Sequence, residues 1–295
     1  EQNYKFHSMK IGISMDAYRV SVTPAEAVKK LAGIGFEALD FNFSDYYFET
    51  SMFAGENWKQ NITEIRQAAD DSGIIISQIH SPFNMIIDNN KNEKFEDMMM
   101  LRSFEACSML GAPWAVIHSK RFSFGITMNN YERMKEYNIK RVQKLCSQAK
   151  ESGIGIALEN IFPFVDGLVR SGISQTSDII DTVDGAACDN LCVCLDTGHA
   201  FYDKLNPAEE ARKYGSRLKV LHVHDNGGYS DQHVAPFVGR INWDEFMKAL
   251  NDIGYKGVFS LEIHNYVQRM PAGIIDDAVR LAHKIAKYIV TREAV

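Results

Sequence analysis

The chain has 295 residues, of which 45% are hydrophobic and 24% charged, with 20 glycines and 7 prolines. This composition is typical of a folded globular protein and excludes a disordered chain, a collagen-like repeat and a low-complexity sequence. The formal net charge of −6 argues against a nucleic-acid partner. No apolar run reaches the ~20 residues of a transmembrane helix, so no membrane partner is expected.

The five cysteines contain no C-x-x-C pair, which argues against a zinc ribbon or a thioredoxin-like motif. The segment Glu1–Lys10 also lacks the apolar core of a secretory signal. We therefore expect a cytoplasmic protein whose cysteines are free thiols.

Short β-rich runs alternate with longer helix-patterned stretches along the chain. Most of these runs are rich in Ile, Val and Leu, as expected for parallel strands buried on both faces. The predicted strands are Lys10–Ser14, Glu37–Phe43, Ile74–His80, Trp114–His118, Gly155–Glu159, Leu191–Asp196, Leu218–His224 and Val258–Ile263. The predicted helices are Ala25–Ile34, Asn57–Asp71, Glu93–Leu110, Asn130–Ser152, Thr176–Val183, Pro207–Tyr214, Trp243–Ile253 and Ile274–Val290.

The ends of these helices carry recognisable capping residues. Thr23 with Pro24 and Glu26 predicts the start of the first helix. Glycines such as Gly73 and Gly111 close a helix immediately before the next strand.

Repeated strand–helix units with right-handed crossovers predict an α/β protein, a single-domain (β/α)₈ TIM barrel. A doubly wound open sheet is the alternative, but it usually carries a glycine-rich phosphate loop, and no G-x-G-x-x-G occurs. The predicted barrel spans residues 10–295. Residues 1–9 are expected to be an N-terminal extension that is not necessarily native.

Six consecutive predicted strands finish on side chains that can bind a metal. These residues are His80, His118, Glu159, Asp196, His222 with His224, and Glu262. Taken singly, a strand-end histidine is more often a hydrogen-bonded rim residue, and an aspartate more often a helix cap. Because catalytic groups of such barrels lie at the carboxyl ends of the strands, the six together favour a metal site.

Further candidate ligands follow strands six and seven. His199 lies three residues after Asp196, and His222 and His224 alternate on one side of the predicted strand. Only one histidine of that pair is expected to reach the ion. Asp231 and His233, in a polar loop, are candidates for an additional metal. Carboxylate and imidazole ligands together suit Mn²⁺, Zn²⁺, Co²⁺ or Mg²⁺.

Several strings in strands three to eight carry a resemblance to a known family. They are His80–Phe83, Val116–His118, Ala157–Asn160, Cys194–Ala200, His222–Asn226, Asp231–His233 and Ser260–Glu262. In order and spacing they resemble the xylose isomerase-like TIM-barrel superfamily. The similar group is that of the sugar phosphate isomerases and epimerases, to which endonuclease IV is related.

The resemblance implies roles for individual residues. In the epimerase branch, the residues matching Glu159, Asp196, His222 and Glu262 hold one divalent ion, and the two glutamates serve as acid and base. The residue matching His199 contacts the substrate there. We expect His80, His118 and His224 to contact it as well.

Two departures from the free-ketose 3-epimerases argue against a psicose or tagatose specificity. Val165 stands where those enzymes have a second glutamate. Asp225–Gly228 stands where they have an arginine shortly after the strand-seven histidine.

Three functions remain open from the sequence. The first is a metal-dependent isomerase or epimerase of a sugar or sugar phosphate that works through an enediolate, with a dehydratase as a variant. The second is an endonuclease IV-like phosphodiesterase on abasic DNA with up to three zinc ions, since His80, His118, Asp231 and His233 would complete that ligand set. The third is a non-catalytic sugar-binding barrel.

Basic residues do not decide whether the sugar is phosphorylated. Arg19, Lys120, Arg121 and Arg240 follow or precede predicted strands and could meet a phosphate, but a residue in such a position is more often a solvated surface charge. The last helix, Ile274–Val290, carries enough aliphatic residues to pack on the barrel or on a second copy of the chain. The sequence therefore does not decide whether the protein forms a homo-oligomer.

Overall fold

Parallel strands and helices alternate in the computed structural model, which describes residues 9–18, 22–83, 87, 92–122, 130–162 and 173–291. The strands are β1 (Ile11–Ser14), β2 (Ala38–Asn42), β3 (Ile75–His80), β4 (Trp114–His118), β5 (Gly155–Glu159), β6 (Leu191–Asp196), β7 (Leu218–His222) and β8 (Phe259–Leu261). They pair in the order β7-β6-β5-β4-β3-β2-β1-β8. Val223 pairs in parallel with Leu261 and joins the two edge strands. The predicted (β/α)₈ barrel is confirmed.

The α-helices of the described chain surround this barrel. They are α1 (Pro24–Ile34), α2 (Trp58–Ser72), α3 (Glu93–Leu110), α4 (Tyr131–Glu151), α5 (Thr176–Ala186), α6 (Thr197–Tyr202), α7 (Pro207–Tyr214), α8 (Trp243–Asp252), α9 (His264–Gln268) and α10 (Ile275–Thr291). The predicted helices agree with these bounds to within a few residues. The short helices α6 and α9 were not predicted, because five or six residues do not establish a helical period.

Two strands are shorter than their sequences predict. β7 ends at His222 rather than His224, and β8 covers only Phe259–Leu261. The chain continues past both ends in extended form, since Val223 N donates to Ser260 O (2.8 Å) and Glu262 N donates to Val223 O (2.9 Å). The residues after β7 and β8 are therefore held in place by the barrel closure itself.

Apolar side chains fill the layer between strands and helices, and a smaller cluster fills the barrel interior. The interior cluster consists of Val116, Ala157, Cys192, Cys194 and Val220, with Trp114 packed against it. Gly155 is required beside this tryptophan, because a Cβ there would lie 2.2 Å from Trp114 Cζ3. The packed interior directs the open space of the barrel to the carboxyl ends of the strands.

Other predictions on chain organisation have mixed outcomes. The predicted extension at 1–9 lies almost wholly outside the described residues and stays a prediction. Among the described helices, none combines the length and the apolar character needed to cross a bilayer. All five cysteines are free thiols, four of them buried and Cys188 half-buried.

Candidate active site

A cavity of about 330 Å³ opens at the carboxyl ends of the strands. The predicted site residues that line it are His80, His118, Glu159, His199, Asp231, His233 and Glu262. Asp196, His222 and His224 are fully buried next to them. The barrel thus brings the predicted residues of six strands and of one loop to a single place.

Glu159, His222 and Glu262 form the centre of this site. His222 Nδ1 lies 3.1 Å from Glu159 Oε2 and 3.6 Å from Glu262 Oε2. His222 Nδ1 and Glu262 Oε2 are buried, and neither has a hydrogen-bond partner. Buried polar atoms are normally satisfied, so these two unsatisfied atoms, together with Glu159 Oε2, fit the binding of a divalent cation.

Asp40 on β2 orients the central histidine, and sequence reasoning missed it. His222 Nε2 donates to Asp40 Oδ2 (2.9 Å), which also accepts from Gln78 Nε2 (2.9 Å). This hydrogen bond fixes the orientation of the ring with Nδ1 facing the two glutamates, so that a bound metal ion would take the place of the Nδ1 proton. A carboxylate in the middle of the strand Ala38–Asn42 was the available signal.

A second group of possible ligands shares Glu159. His80 Nε2 lies 3.0 Å from His118 Nε2, and the two atoms lie 3.6 Å and 3.2 Å from Glu159 Oε2. His80 Nδ1 donates to the carbonyl of Ser81 (3.0 Å), which turns Nε2 toward the cavity. These predicted substrate contacts therefore also have the geometry of metal ligands.

A third group contains His199, His224, Asp231 and His233, whose potential ligand atoms lie within 4.8 Å of one another. His233 Nε2 lies 3.0 Å from Asp231 Oδ2, and its Nδ1 donates to the carbonyl of Glu262 (3.1 Å). The rings of His224 and His233 stack with centroids 3.8 Å apart. The loop residues Asp231 and His233 thus join the site as predicted candidates for an additional metal.

Asp196 is held by residues of the third group. Its carboxylate caps helix α6 by accepting from His199 N (2.6 Å) and lies 2.9 Å from His224 Nε2. A glycine is required at 198, because a Cβ there would lie 1.9 Å from the His224 ring. His199 Nδ1, 3.3 Å from Glu159 Oε1 and 3.7 Å from Asp196 Oδ1, connects Asp196 to the central glutamate.

The two central glutamates have pKa values displaced in opposite directions. Burial raises the pKa of Glu262 well above its usual range, and the charge of Glu159 adds to this although His222 opposes it. Burial also acts to raise the pKa of Glu159, but the charge of His222 and the hydrogen bonds of His118 and His199 outweigh it and hold that pKa well below its usual range. In the metal-free site, burial thus favours the protonated form of Glu262, whereas the neighbouring histidines favour the ionised form of Glu159.

The histidines of the site also differ in pKa. Burial lowers the pKa of His118 and of His233 to about 4, despite the carboxylates beside them. In His199, burial acts in the same direction, but the charges of Asp196 and Asp231 outweigh it and raise the pKa well above its usual range. His118 and His233 are therefore neutral, with lone pairs available.

Of the basic residues considered from the sequence, Lys120, Arg121 and Arg240 are not part of the described cavity lining. Lys120 is buried in an ion pair with Glu96 of α3. Arg240 lines a separate cavity beside Lys204 and Asn206. Arg19 and Val165 lie outside the described residues.

The comparisons with known proteins agree with this architecture. Residues 28–285 match the family model described as the xylose isomerase-like TIM barrel. The chain belongs to this family. It is 29% identical over 217 residues to an uncharacterised protein of Methanocaldococcus jannaschii, covering 72% of this chain and 69% of that protein. It is 22% identical over 249 residues to the D-psicose 3-epimerase of Enterocloster bolteae, covering 79% and 74%.

A solved structure described as a D-tagatose 3-epimerase-like protein shares the fold. Its TM-score is 0.74 at 24% sequence identity, and the match covers 96% of this chain and 98% of the other.

Proposed function

We propose that the protein is a divalent-metal-dependent isomerase or epimerase of a sugar, acting by proton transfer through an enediolate. The observation that carries this proposal is the convergence of Glu159 and Glu262 on His222 Nδ1, at 3.1 Å and 3.6 Å, beside a sugar-sized cavity. The similarity to a D-psicose 3-epimerase supports it.

Glu159, His222 and Glu262 would hold the ion, and we propose Asp196 as the fourth ligand. A divalent ion bound there supplies a Lewis acid that polarises the substrate carbonyl and acidifies the neighbouring C–H group. Mn²⁺, Zn²⁺, Co²⁺ and Mg²⁺ all accept such carboxylate and imidazole donors.

The protein side chains then carry out the proton transfers. One of Glu159 and Glu262 takes the carbon-bound proton, and the same or the other glutamate returns it. Return of the proton to the neighbouring carbon gives isomerisation, and return to the opposite face of the same carbon gives epimerisation. His199 is placed to hydrogen-bond the oxygen on which charge develops, with His80, His118 and His224 as further substrate contacts.

Solvent exchange tests the proposed chemistry. Protein loaded with Mn²⁺ is incubated in D₂O with a panel of free and phosphorylated ketoses and aldoses, and deuterium next to the carbonyl is measured by mass spectrometry. We expect incorporation during turnover, because the removed proton exchanges with solvent. Glu159→Gln and Glu262→Gln should each lower the rate at least about 100-fold, the usual contribution of general acid–base catalysis.

The matched control is Glu64→Gln on the exposed face of α2, which should leave exchange unchanged. Conversion of a sugar without deuterium incorporation would contradict the enediolate. Tight sugar binding without turnover in the wild-type protein would identify a non-catalytic sugar-binding barrel instead.

A second candidate function rests on the three groups of possible ligands. The groups around His80 and His118 and around Asp231 and His233 could hold two further ions, as an endonuclease IV-like zinc phosphodiesterase on abasic DNA would require. Metal analysis of the purified protein separates the two functions. One ion per chain supports the isomerase, whereas three zinc ions with chelator-sensitive cleavage of an abasic oligonucleotide support the nuclease.

A further inference from the structure

A cluster of polar side chains lies across the cavity from β5. Its members come from the segments after β1 and β8 and from the end of β2, and they are Asp16, Asn42, Ser44, Asp45 and His264. We call this cluster the polar wall. None of these residues takes part in the proton transfers proposed above.

Asp16 is the central residue of the polar wall and is only 4% exposed. Its Oδ2 accepts from Asn42 Nδ2 (3.4 Å) and lies 3.2 Å from His264 Nδ1. Its backbone carbonyl accepts from Nε2 of Gln268, the last residue of α9 (3.2 Å), and this bond holds Asp16 in place.

The second carboxylate oxygen of Asp16 has no such partner. Oδ1 is buried and is one of the described polar atoms that no hydrogen bond satisfies. Leaving a buried acceptor unsatisfied is costly, and the hydroxyl group of a ligand in the cavity would satisfy it.

The charge of the cavity restricts the ligand further. Its described lining contains the carboxyl groups of Asp16, Asp45, Glu159, Asp231 and Glu262, and no lysine or arginine. Phosphate groups are bound by arginine, lysine or backbone N–H donors, and carboxylates repel them.

Another part of the lining is apolar. Phe83, Ile161 and Phe162 line the cavity, and the ring of Phe83 stacks on His118 with centroids 4.5 Å apart. A monosaccharide has C–H groups that can pack on such rings and hydroxyl groups that need acceptors. The volume of about 330 Å³ suits a small molecule of that kind.

We propose that the polar wall binds the end of an unphosphorylated sugar remote from the reacting carbons, with Asp16 Oδ1 accepting a hydrogen bond from a sugar hydroxyl. This inference rests on the proposed function and names its substrate class, a neutral polyhydroxy sugar. Asp16 is the residue that determines this specificity.

The first test compares matched substrates on the metal-loaded wild-type protein. Deuterium exchange is measured with free ketoses, D-fructose included, and with the same ketoses phosphorylated at the terminal carbon. We expect the free sugars to exchange at least about tenfold faster in kcat/KM, because the polar wall offers acceptors and contains no lysine or arginine. Faster exchange with the phosphorylated series would overturn the inference and leave the proposed function intact. Exchange with neither series would overturn the proposed function, and the inference with it.

The second test is Asp16→Asn, which keeps the side-chain shape and removes its charge. We expect KM for the free sugar to rise about tenfold, the difference between a charged and a neutral hydrogen-bond acceptor, with kcat nearly unchanged. Bound metal and Tm should equal those of the wild type, which separates loss of a substrate contact from loss of structure.

The matched control is Asp184→Asn. Asp184 is exposed on α5 and pairs with Arg217 (2.7 Å), so this substitution should leave KM unchanged. An Asp16→Asn variant with the wild-type KM would overturn the role of Asp16. If that variant does not fold, the substrate comparison on the wild-type protein still decides the inference.

Discussion

At the scale of single residues, four histidines of the site share one arrangement. One ring nitrogen donates to a fixed acceptor, and the other faces a further possible metal ligand. The acceptors are Asp40 for His222, Ser81 O for His80, Asn160 O for His199 and Glu262 O for His233. Such bonds set the tautomer and the ring orientation before any ligand arrives, which favours metal or substrate binding.

Replacement of Asp40 tests the importance of this hydrogen bond for His222. In Asp40→Asn the acceptor of His222 Nε2 loses its charge, so the imidazole becomes a weaker and less firmly oriented donor. We expect the affinity for Mn²⁺ to fall about 10- to 100-fold, the usual effect of losing such an orienting partner. Isothermal titration of metal-free protein with MnCl₂ measures it.

Asp276→Asn is the control for this experiment, since Asp276 pairs with Lys30 (3.0 Å) on the surface. Its affinity for Mn²⁺ should equal that of the wild type. A folded Asp40→Asn protein with undiminished affinity would show that Asp40 does not support the metal site.

At the scale of elements, the loop between β7 and α8 is organised by one buried carboxylate. Asp225 accepts from the backbone N–H groups of Asn226, Phe237, Arg240 and Ile241 and from Trp243 Nε1, at 2.9 to 3.1 Å. Gly239 approaches it so closely that a Cβ would lie 2.2 Å from Asp225 Oδ1. This loop carries Asp231 and His233 into the site.

Asp225→Asn tests the contribution of that carboxylate. The amide NH₂ group would face donors that need an acceptor, so we expect the free energy of unfolding to fall by about 1–3 kcal/mol. Urea unfolding followed by circular dichroism measures the change. Exposed Asp252→Asn, which removes the partner of Arg212 (3.0 Å), should change the stability by less than about 0.5 kcal/mol. Equal stabilities of the two variants would contradict the role of Asp225.

The elements themselves were largely predictable where local chemistry marks their ends. Thr23 accepts from Glu26 N (3.4 Å) and Glu26 accepts from Thr23 N (2.9 Å), which confirms the predicted start of α1. Gly73 and Gly111 end α2 and α3 with positive φ angles of 65° and 72°, as their positions predict. Helix α6, which Asp196 caps, was missed because its six residues are too few to establish a helical period.

At the scale of the whole molecule, barrel closure joins residues that are distant in the chain. Asp40 and His222 are separated by 182 positions and lie 2.9 Å apart. The site is therefore complete only in the folded barrel, and an ion bound there stabilises the folded state over the unfolded chain.

Thermal unfolding tests this coupling. When metal-free protein receives Mn²⁺ at about 100 times the dissociation constant of the ion, its free energy of unfolding should increase by about 2.7 kcal/mol. Since 1 kcal/mol shifts Tm by about 2–4 °C in large domains, calorimetry should show a rise of roughly 5–10 °C. Glu262→Gln should show a smaller rise at the same Mn²⁺ concentration. An equal rise in that variant would place the stabilising ion elsewhere.

The sequence by itself determined the α/β class, the strand–helix alternation and the strand ends that carry the site. These features depend on local apolar periodicity, capping residues and side-chain chemistry, all of which act over a few positions. Only the tertiary structure decided how the ligands are grouped: His222 lies with Glu159 and Glu262, whereas His224 lies with Asp196. It also decided the roles of Asp40, Asp16 and Asp225. Their partners come from other strands and loops, and no local pattern encodes which distant side chains barrel closure brings within hydrogen-bonding distance.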